Sequence, residues 1–273
     1  MLIKYEENEL KFTEKYVFVW GILLLLYRNL FAAIDKMFFI WQILFPVFQI
    51  YIMGYAYSAL IGDQGINIGA SSISYVAFLT TGMMGFNVMQ GSQIAGTIFW
   101  NDRKNGMFHQ ILAMPFNKIQ YVIANLVTLI VIGLTSATAI ILIGLPTIFQ
   151  DMNITVWGIS YTIFAIVAGS IFFGSFTIIL STKMKSSETY NVFSNGLFIF
   201  FIFVSSVFYP AEGLPQPLSA AFYFNPLTYI ADITRAGIFS QVDAFTNLEV
   251  LALTLFSVGA FVIATRAMVK LQI

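Results

Sequence analysis

Charged residues are rare along this chain, and they bound six long apolar windows. Uncharged runs extend, for example, from Lys36 to Asp63 and from Asp151 to Lys183. A helix that crosses a bilayer needs about 20 largely apolar residues, and its backbone groups must pair within the segment because hydrocarbon offers no partner. The windows are continuous rather than alternating, which favours helices over barrel strands. The pattern predicts six transmembrane helices, near 38–61, 74–98, 120–147, 156–180, 190–209 and 248–267.

A shorter apolar segment precedes the first predicted span. Only 12 uncharged residues separate Lys15 from Arg28, which is short for a crossing but suits a helix that lies in the membrane interface. A signal peptide is the alternative, but the first 15 residues hold four Glu and no small-residue cleavage site follows Leu26. We predict an interfacial helix over residues 14–35.

Four prolines interrupt the apolar chain between residues 210 and 246, together with four charged residues. Proline ends or bends helices, so a regular span is not expected there. We predict a re-entrant helical hairpin or a surface cap over 210–246, before the last span. Within it, Asp232 and Arg235 are three residues apart, so a helix would place both on one face. They are interpreted as a structural ion pair or as part of an outer gate.

Composition narrows the class of protein. Hydrophobic residues make up 59% of the 273 residues and charged residues 10%, whereas soluble domains are about a quarter charged. A water-soluble enzyme is therefore excluded. The predicted fold class is an all-α integral membrane protein, formed by a single transmembrane domain over 1–273. The formal net charge is +0, so nucleic acid is not expected as a partner.

The lysines and arginines predict the orientation of the spans. With the N-terminus inside, 12 of the 13 Lys and Arg residues fall on the inner side, and only Arg235 falls outside. Positive residues are concentrated in cytoplasmic loops. Both termini are therefore expected in the cytoplasm.

Three common signatures of catalysis or cofactor binding are missing from the sequence. His109 is the only histidine and the chain has no cysteine, so the common zinc sites cannot form. No Gly-Lys pair is present, which excludes a phosphate-binding loop of the Walker A type. No Gly-x-Ser-x-Gly elbow occurs either. We expect no catalytic residue, no metal and no cofactor in this chain.

The polar loop after the second predicted span carries a short helical pattern. Asp102 is placed to favour a helix N-terminus, Asn105-Gly106 interrupts the chain, and Pro115 would end a short helix near 110–114. The helical spacing of three apolar residues predicts an amphipathic face, made of Phe108, Ile111 and Leu112. Such a helix could dock into a groove of a partner protein or lie on the bilayer surface, and the pattern alone leaves both open.

Two blocks of residues carry a family resemblance. The first reads Asp102-Arg103-Lys104-Asn105-Gly106 followed by Ile111-Leu112-Ala113-Met114-Pro115, with Met107 and His109 where the family usually has Thr and Glu. The second comprises Phe208-Tyr209-Pro210, Leu214-Pro215, Asn225-Pro226-Leu227-Thr228-Tyr229, Asp232 and Arg235. Over almost the whole chain this resembles the type-two ATP-binding-cassette (ABC) exporter permeases, and most closely the branch of small drug, antibiotic and nodulation-factor exporters.

The resemblance implies a transport subunit of the plasma membrane that is not itself an enzyme. Two copies, or one copy and a paralogue, would form a pathway for hydrophobic or amphiphilic cargo. A separate ABC ATPase, which would carry the ATP and Mg²⁺, would dock on a cytoplasmic coupling helix at 101–114 and on the N-terminal helix. The implied coupling residues are Asp102, Arg103, Gly106, Phe108, Ile111, Leu112 and Pro115. The implied re-entrant or gating residues are Pro210, Pro215, Pro226, Asp232 and Arg235.

Three other functions stay open at the level of the sequence. The first is an ATP-independent channel or carrier. The second is a permease of the polysaccharide branch of the same fold. The third is a membrane scaffold that transports nothing.

Overall fold

Helices form nearly all of the structure, a computed structural model that describes residues 18–33, 35–61, 65–68, 71–114, 116–211 and 214–271. Helix α1 comprises residues 18–28 and continues as a π-helical turn, Asn29–Ala33. The other helices are α2 (Lys36–Ile61), α3 (Tyr75–Lys104), α4 (Met107–Ala113), α5 (Lys118–Ile148), α6 (Val156–Lys183), α7 (Ser187–Phe203), α8 (Gln216–Tyr223), α9 (Pro226–Phe239) and α10 (Ala244–Lys270). An antiparallel pair of short strands, β1 (Ile66–Ile68) and β2 (Ser71–Ile73), connects α2 to α3.

Four helices are long and apolar enough to cross a membrane: Lys36–Leu60, Lys118–Pro146, Val156–Lys183 and Ala244–Lys270. This confirms the predicted all-α membrane class. Helix α3 has 30 residues but is too polar to join this group, and α7 has only 17 residues. The number of six spans therefore stays a prediction, and it depends on these two helices.

Helix α3 lies at the centre of the bundle. It contacts α2, α5, α6, α7 and α9, and most of its residues are buried. Its polar side chains are tolerated because neighbouring helices, rather than lipid, cover most of its surface. Its first turn is capped by Ser74, whose hydroxyl also donates to Asp151 Oδ2 at 2.7 Å, beyond the end of α5.

Both ends of the described chain lie at the same end of the bundle, where α5 begins. The Lys118 ammonium donates to the carbonyl of Leu271 at 2.8 Å. The Gln120 amide donates to the carbonyl of Phe18 at 3.0 Å, and Asn117 and Gln120 form a reciprocal capping box. These contacts place α1, the start of α5 and the end of α10 together.

The described part of residues 210–246 contains two short helices, α8 and α9, before α10 begins. Whether they re-enter the membrane or cap its surface stays a prediction. Pro215 immediately precedes α8, and Pro226 is the first residue of α9, where a missing N–H costs nothing. Asn225 caps α9 and donates to the carbonyls of Phe201 and Val204, each at 2.6 Å. Helix α7 ends at Phe203, because the following chain to residue 211 bends to meet α9. The helix is therefore shorter than the predicted 190–209.

Candidate functional site

The junction between α3 and α4 is a sharp break at one glycine. Helical hydrogen bonding continues unbroken to Lys104, so Asp102 and Arg103 belong to the last turn of α3. Asp102 therefore lies at the end of a helix rather than near a helix N-terminus, and the chain is interrupted at Asn105-Gly106. The coupling role of residues 101–114 stays a prediction. Gly106 adopts φ +71°, ψ 0°, a left-handed conformation that favours glycine. Helix α4 follows it directly, three residues earlier than the predicted start.

One face of α4 is buried against α3 and α5. The ring of Phe108 is 1% exposed and lies 5.5 Å from the ring of Phe99 and 5.3 Å from that of Tyr121. Ile111 is also buried, and Leu112 is half-buried. The predicted docking surface of Phe108, Ile111 and Leu112 therefore requires correction, because helical periodicity turns these apolar side chains toward the bundle. The exposed side chains of this segment belong to Met107, His109, Gln110, Ala113 and Met114, and Pro115 lies outside the described residues.

A hydrogen-bonded cluster connects α1 to the α3–α4 junction. The Asp102 carboxylate is buried and accepts from Arg28 Nη2 at 2.8 Å and from the Tyr121 hydroxyl at 2.7 Å. Asn29, on the same turn as Arg28, donates to Asn125 Oδ1 at 3.0 Å on α5. In the sequence, Arg28 marks only the end of an apolar segment, and nothing there connects it with Asp102. By contrast, Arg103 is exposed and stacks on Trp100, with 5.5 Å from guanidinium to ring centre.

Asp232 and Arg235 lie at the opposite end of the bundle and form the ion pair expected from their spacing. The Arg235 guanidinium is buried, lies 3.7 Å from the centre of the Phe78 ring, and donates to the carbonyl of Ser206 at 3.0 Å. The Ser206 hydroxyl donates to Asp232 at 2.7 Å. Arg235 therefore attaches α9 to α3 and to the bend that follows α7. The gating role assigned to these residues and to Pro210, Pro215 and Pro226 stays a prediction.

A polar face of α3 opens between α2 and α7, and the sequence analysis did not single it out. Between residues 81 and 99, the α3 side chains that are not buried are Gln90, Gln93 and Thr97. Gln93 Nε2 donates to Asn195 Oδ1 of α7 at 3.0 Å. Gln42 of α2 and Asn87 of α3 bond to each other, with 2.7 Å from Asn87 Nδ2 to the carbonyl of Gln42. The available signal was the spacing of amides at 87, 90 and 93 within an apolar window.

The family comparison decides the class of protein. The model of the family described as "ABC-2 type transporter" matches residues 21–239, from α1 to the end of α9. The chain belongs to the ABC-2 type transporter family. It is therefore a multi-pass membrane permease subunit of an ABC transporter, a transport subunit that is not itself catalytic. No curated protein sequence gives a match. The resemblance inferred from the two motif blocks is confirmed at the level of the family.

Proposed function

We propose that this permease forms half of a dimeric, ATP-driven exporter. The observation that carries the proposal is the anchoring of α4 by Phe108. Its buried ring contacts α3 through Phe99 and α5 through Tyr121. Because packed interiors transmit displacement rather than absorb it, a push on α4 moves both helices. Such an arrangement would allow α4 to pass a movement of a separate protein on to α3 and α5.

The driving protein is a separate ABC ATPase that binds the exposed side of α4. Met107 and Met114 are 40% and 50% exposed, and Gln110 lies between them at helical spacing. An apolar helix face of this kind docks into a groove of a partner. Closure of the ATPase dimer on ATP and Mg²⁺ would displace α4 and, through the bond between Arg28 and Asp102, also α1.

The second half of the pathway is another copy of this chain or a paralogue. Amide groups exposed to hydrocarbon are unfavourable unless they are paired or in contact with water. The Gln90, Gln93 and Thr97 face of α3 is open between α2 and α7. A partner protomer that covers this opening would enclose a polar pathway between the two α3 helices.

The outer end of the pathway is closed by α8 and α9. Arg235 and Asp232 hold α9 on α3 and on the bend at Ser206. Export would require this contact to open or to shift. The prolines at 210, 215 and 226 separate the bend, α8 and α9 into short rigid pieces.

The orientation follows from the positive charges. If six helices cross the membrane, 12 of the 13 Lys and Arg residues fall on the same side as α4 and both termini. Positive residues are concentrated on the cytoplasmic side, so this side faces the cytoplasm, and the exporter lies in the plasma membrane. The cargo is a hydrophobic or amphiphilic molecule.

The docking face of α4 can be tested without disturbing its buried face. Met107→Glu, Gln110→Glu and Met114→Glu together place three charges on the exposed side and leave Phe108 in position. We expect this variant to insert in membranes, but not to co-purify with its cognate ATPase or to stimulate the hydrolysis of ATP by that protein. Leu218→Glu, on exposed α8 at the other end of the bundle, is the matched control.

Two results would overturn the proposal. One is a complex that survives the triple substitution as well as the control does. The other is cargo flux through vesicles that contain the permease alone and no ATP, which is the behaviour of a channel or carrier.

A further inference from the structure

The cleft between α2 and α3 opens near the middle of α3, and so near the middle of the span predicted for residues 74–98. Its volume is about 260 Å³, and its polar lining consists of Gln42, Asn87, Gln90 and Gln93. Gln90 is near the midpoint of α3, a helix of 30 residues that is ~45 Å long at 1.5 Å per residue. Polar side chains at this depth are costly and are therefore commonly functional.

Three of these amides, Gln42, Gln90 and Gln93, have hydrogen-bonding capacity left over among the described residues. Gln42 Nε2 donates to Asn87, but Gln42 Oε1 accepts no bond from any residue that the structure describes. Gln90 Oε1 accepts from Gln93 Nε2 at 3.5 Å, whereas Gln90 Nε2 donates to none of the described residues. Gln93 donates through Nε2, and its Oε1 accepts no bond from any described residue. The cleft thus offers acceptor groups at Gln42 and Gln93 and one donor group at Gln90. A hydroxyl group satisfies both kinds of group, because it donates and accepts at the same time.

Aromatic rings form most of the remaining wall of the cleft. Trp41 is 59% exposed and Phe45 is 41% exposed, and Phe38, Phe86 and Pro46 complete the lining. Such rings present flat apolar faces to a ligand, while the amides fix its orientation. The combination fits a molecule with one apolar and one hydroxyl-bearing part.

None of the residues that line the cleft is ionisable. An ion at this depth would need an opposite charge to offset its desolvation. A cationic group could still stack on Trp41, but it would leave the Gln90 donor without an acceptor. The lining therefore favours an uncharged ligand over ions of either sign.

We propose that this cleft binds the uncharged, hydroxyl-bearing head group of an amphiphilic substrate. The proposal rests on the transport function proposed above and specifies the chemistry of the cargo. The alkyl part of the substrate would extend along the exposed aromatic side of α2. Discrimination by charge would arise in the cleft itself, before any motion driven by ATP.

Binding can be measured on the full-length permease in lipid nanodiscs, with no ATPase and no nucleotide. Substitutions Trp20→Phe, Trp100→Phe and Trp157→Phe leave Trp41 as the single tryptophan. Its fluorescence is titrated with chain-matched brominated amphiphiles that carry a maltoside, a trimethylammonium or a sulfate head group. We expect saturable quenching by the maltoside, at least tenfold tighter than by either ion. If the triple variant is not monodisperse, the native protein is used with Trp41→Phe as the blank.

Gln90 variants test which group is responsible. Gln90→Leu should weaken maltoside binding about three- to tenfold, the effect of one hydrogen bond. Gln90→Glu should shift the preference toward the trimethylammonium probe. Gln49→Leu, on α2 but outside the cleft lining, should leave all three affinities unchanged.

Two outcomes would overturn the substrate assignment: equal, non-saturable quenching by all three probes, or Gln90→Leu binding as tightly as Gln49→Leu. The first result is also expected if the partner protomer fills the cleft. Saturable maltoside binding in a permease that never associates with an ATPase would instead refute the proposed ATP-driven function and leave the binding site intact.

Discussion

Arg28 Nη2 lies 2.8 Å from Asp102 Oδ2, although 74 residues separate the two in sequence. The pair joins α1 to the last turn of α3, and the Tyr121 hydroxyl adds a bond from α5 to the same carboxylate oxygen. Three elements that surround the base of α4 therefore share one buried carboxylate. A displacement of any one of these elements is expected to displace the other two.

Removing Arg28 should destabilise this junction. Arg28→Met leaves the Asp102 carboxylate with one partner, and the expected cost is about 2 kcal/mol, less than that of a fully buried pair because both side chains keep some exposure. Thermal unfolding in detergent should show a loss of several degrees. Arg103→Met, on the same turn as Asp102 but exposed, should change the midpoint little. Equal shifts for the two variants would contradict a structural role for the pair.

Phe108 and Met107 are adjacent but should respond very differently. Phe108→Ala leaves a cavity between Phe99 and Tyr121, which typically costs about 3–5 kcal/mol. Met107→Ala removes an exposed side chain and should change stability by about 0.5 kcal/mol at most. Thermal unfolding ranks the two variants. The anchoring of α4 would be disproved if Met107→Ala were the more damaging change.

Helices α6 and α9 are in close backbone contact at Gly158 and Gly237. A Cβ atom on either glycine would clash with the backbone carbonyl of the other. Gly237→Ala should therefore separate the helices and cost about 1–3 kcal/mol. Gly259→Ala is the control, because no heavy atom lies within 4 Å of the position its Cβ would take. That change should be neutral or stabilising by about 0.5–1 kcal/mol in a helix, as measured by resistance to thermal unfolding.

The attachment of α9 depends on the shape of the Arg235 side chain as well as on its charge. Arg235→Lys keeps the positive charge but replaces the planar guanidinium group by an ammonium group. The ammonium group cannot bond to Asp232 and to the Ser206 carbonyl in the same way. We expect faster proteolysis between residues 204 and 225, and a larger effect in Arg235→Met, which removes the ion pair with Asp232 altogether. Arg266→Lys in α10 is the control. Proteolysis at the control rate in both Arg235 variants would exclude the attachment.

The start of α10 should weaken in acid. The Asp243 carboxylate accepts from the backbone N–H of Thr246 at 2.8 Å, and this bond lowers the pKa of Asp243 below its ordinary value. A lowered pKa stabilises the cap at pH values above the ordinary pKa, and the stabilisation is lost as the pH falls through the lowered pKa. Amide exchange in the first turn of α10, relative to that of Asp243→Asn, should rise only in that acid range. Asn caps helices without titrating, so a constant ratio from neutral pH to pH 2 would refute the expectation.

The apolar pattern by itself determined the class of the protein. Charge-free windows required membrane helices because hydrocarbon leaves the backbone no other partners, and the prolines at 215 and 226 mark the starts of α8 and α9. The spacing of Asp232 and Arg235 predicted their pairing, since both lie on one turn of one helix. The family resemblance likewise came from short local motifs.

Only the tertiary structure decided which side chains face inward. The helical spacing of Phe108 and Ile111 defines a face but not its neighbour, and that face packs against α3 and α5 rather than being exposed. Arg28 and Asp102 lie 74 residues apart, and no pattern in the sequence indicates that they are in contact. The amides of α3 indicate a polar cleft only because α2 and α7 lie on either side of them. Local periodicity is a property of one helix, whereas burial depends on which other helices surround it.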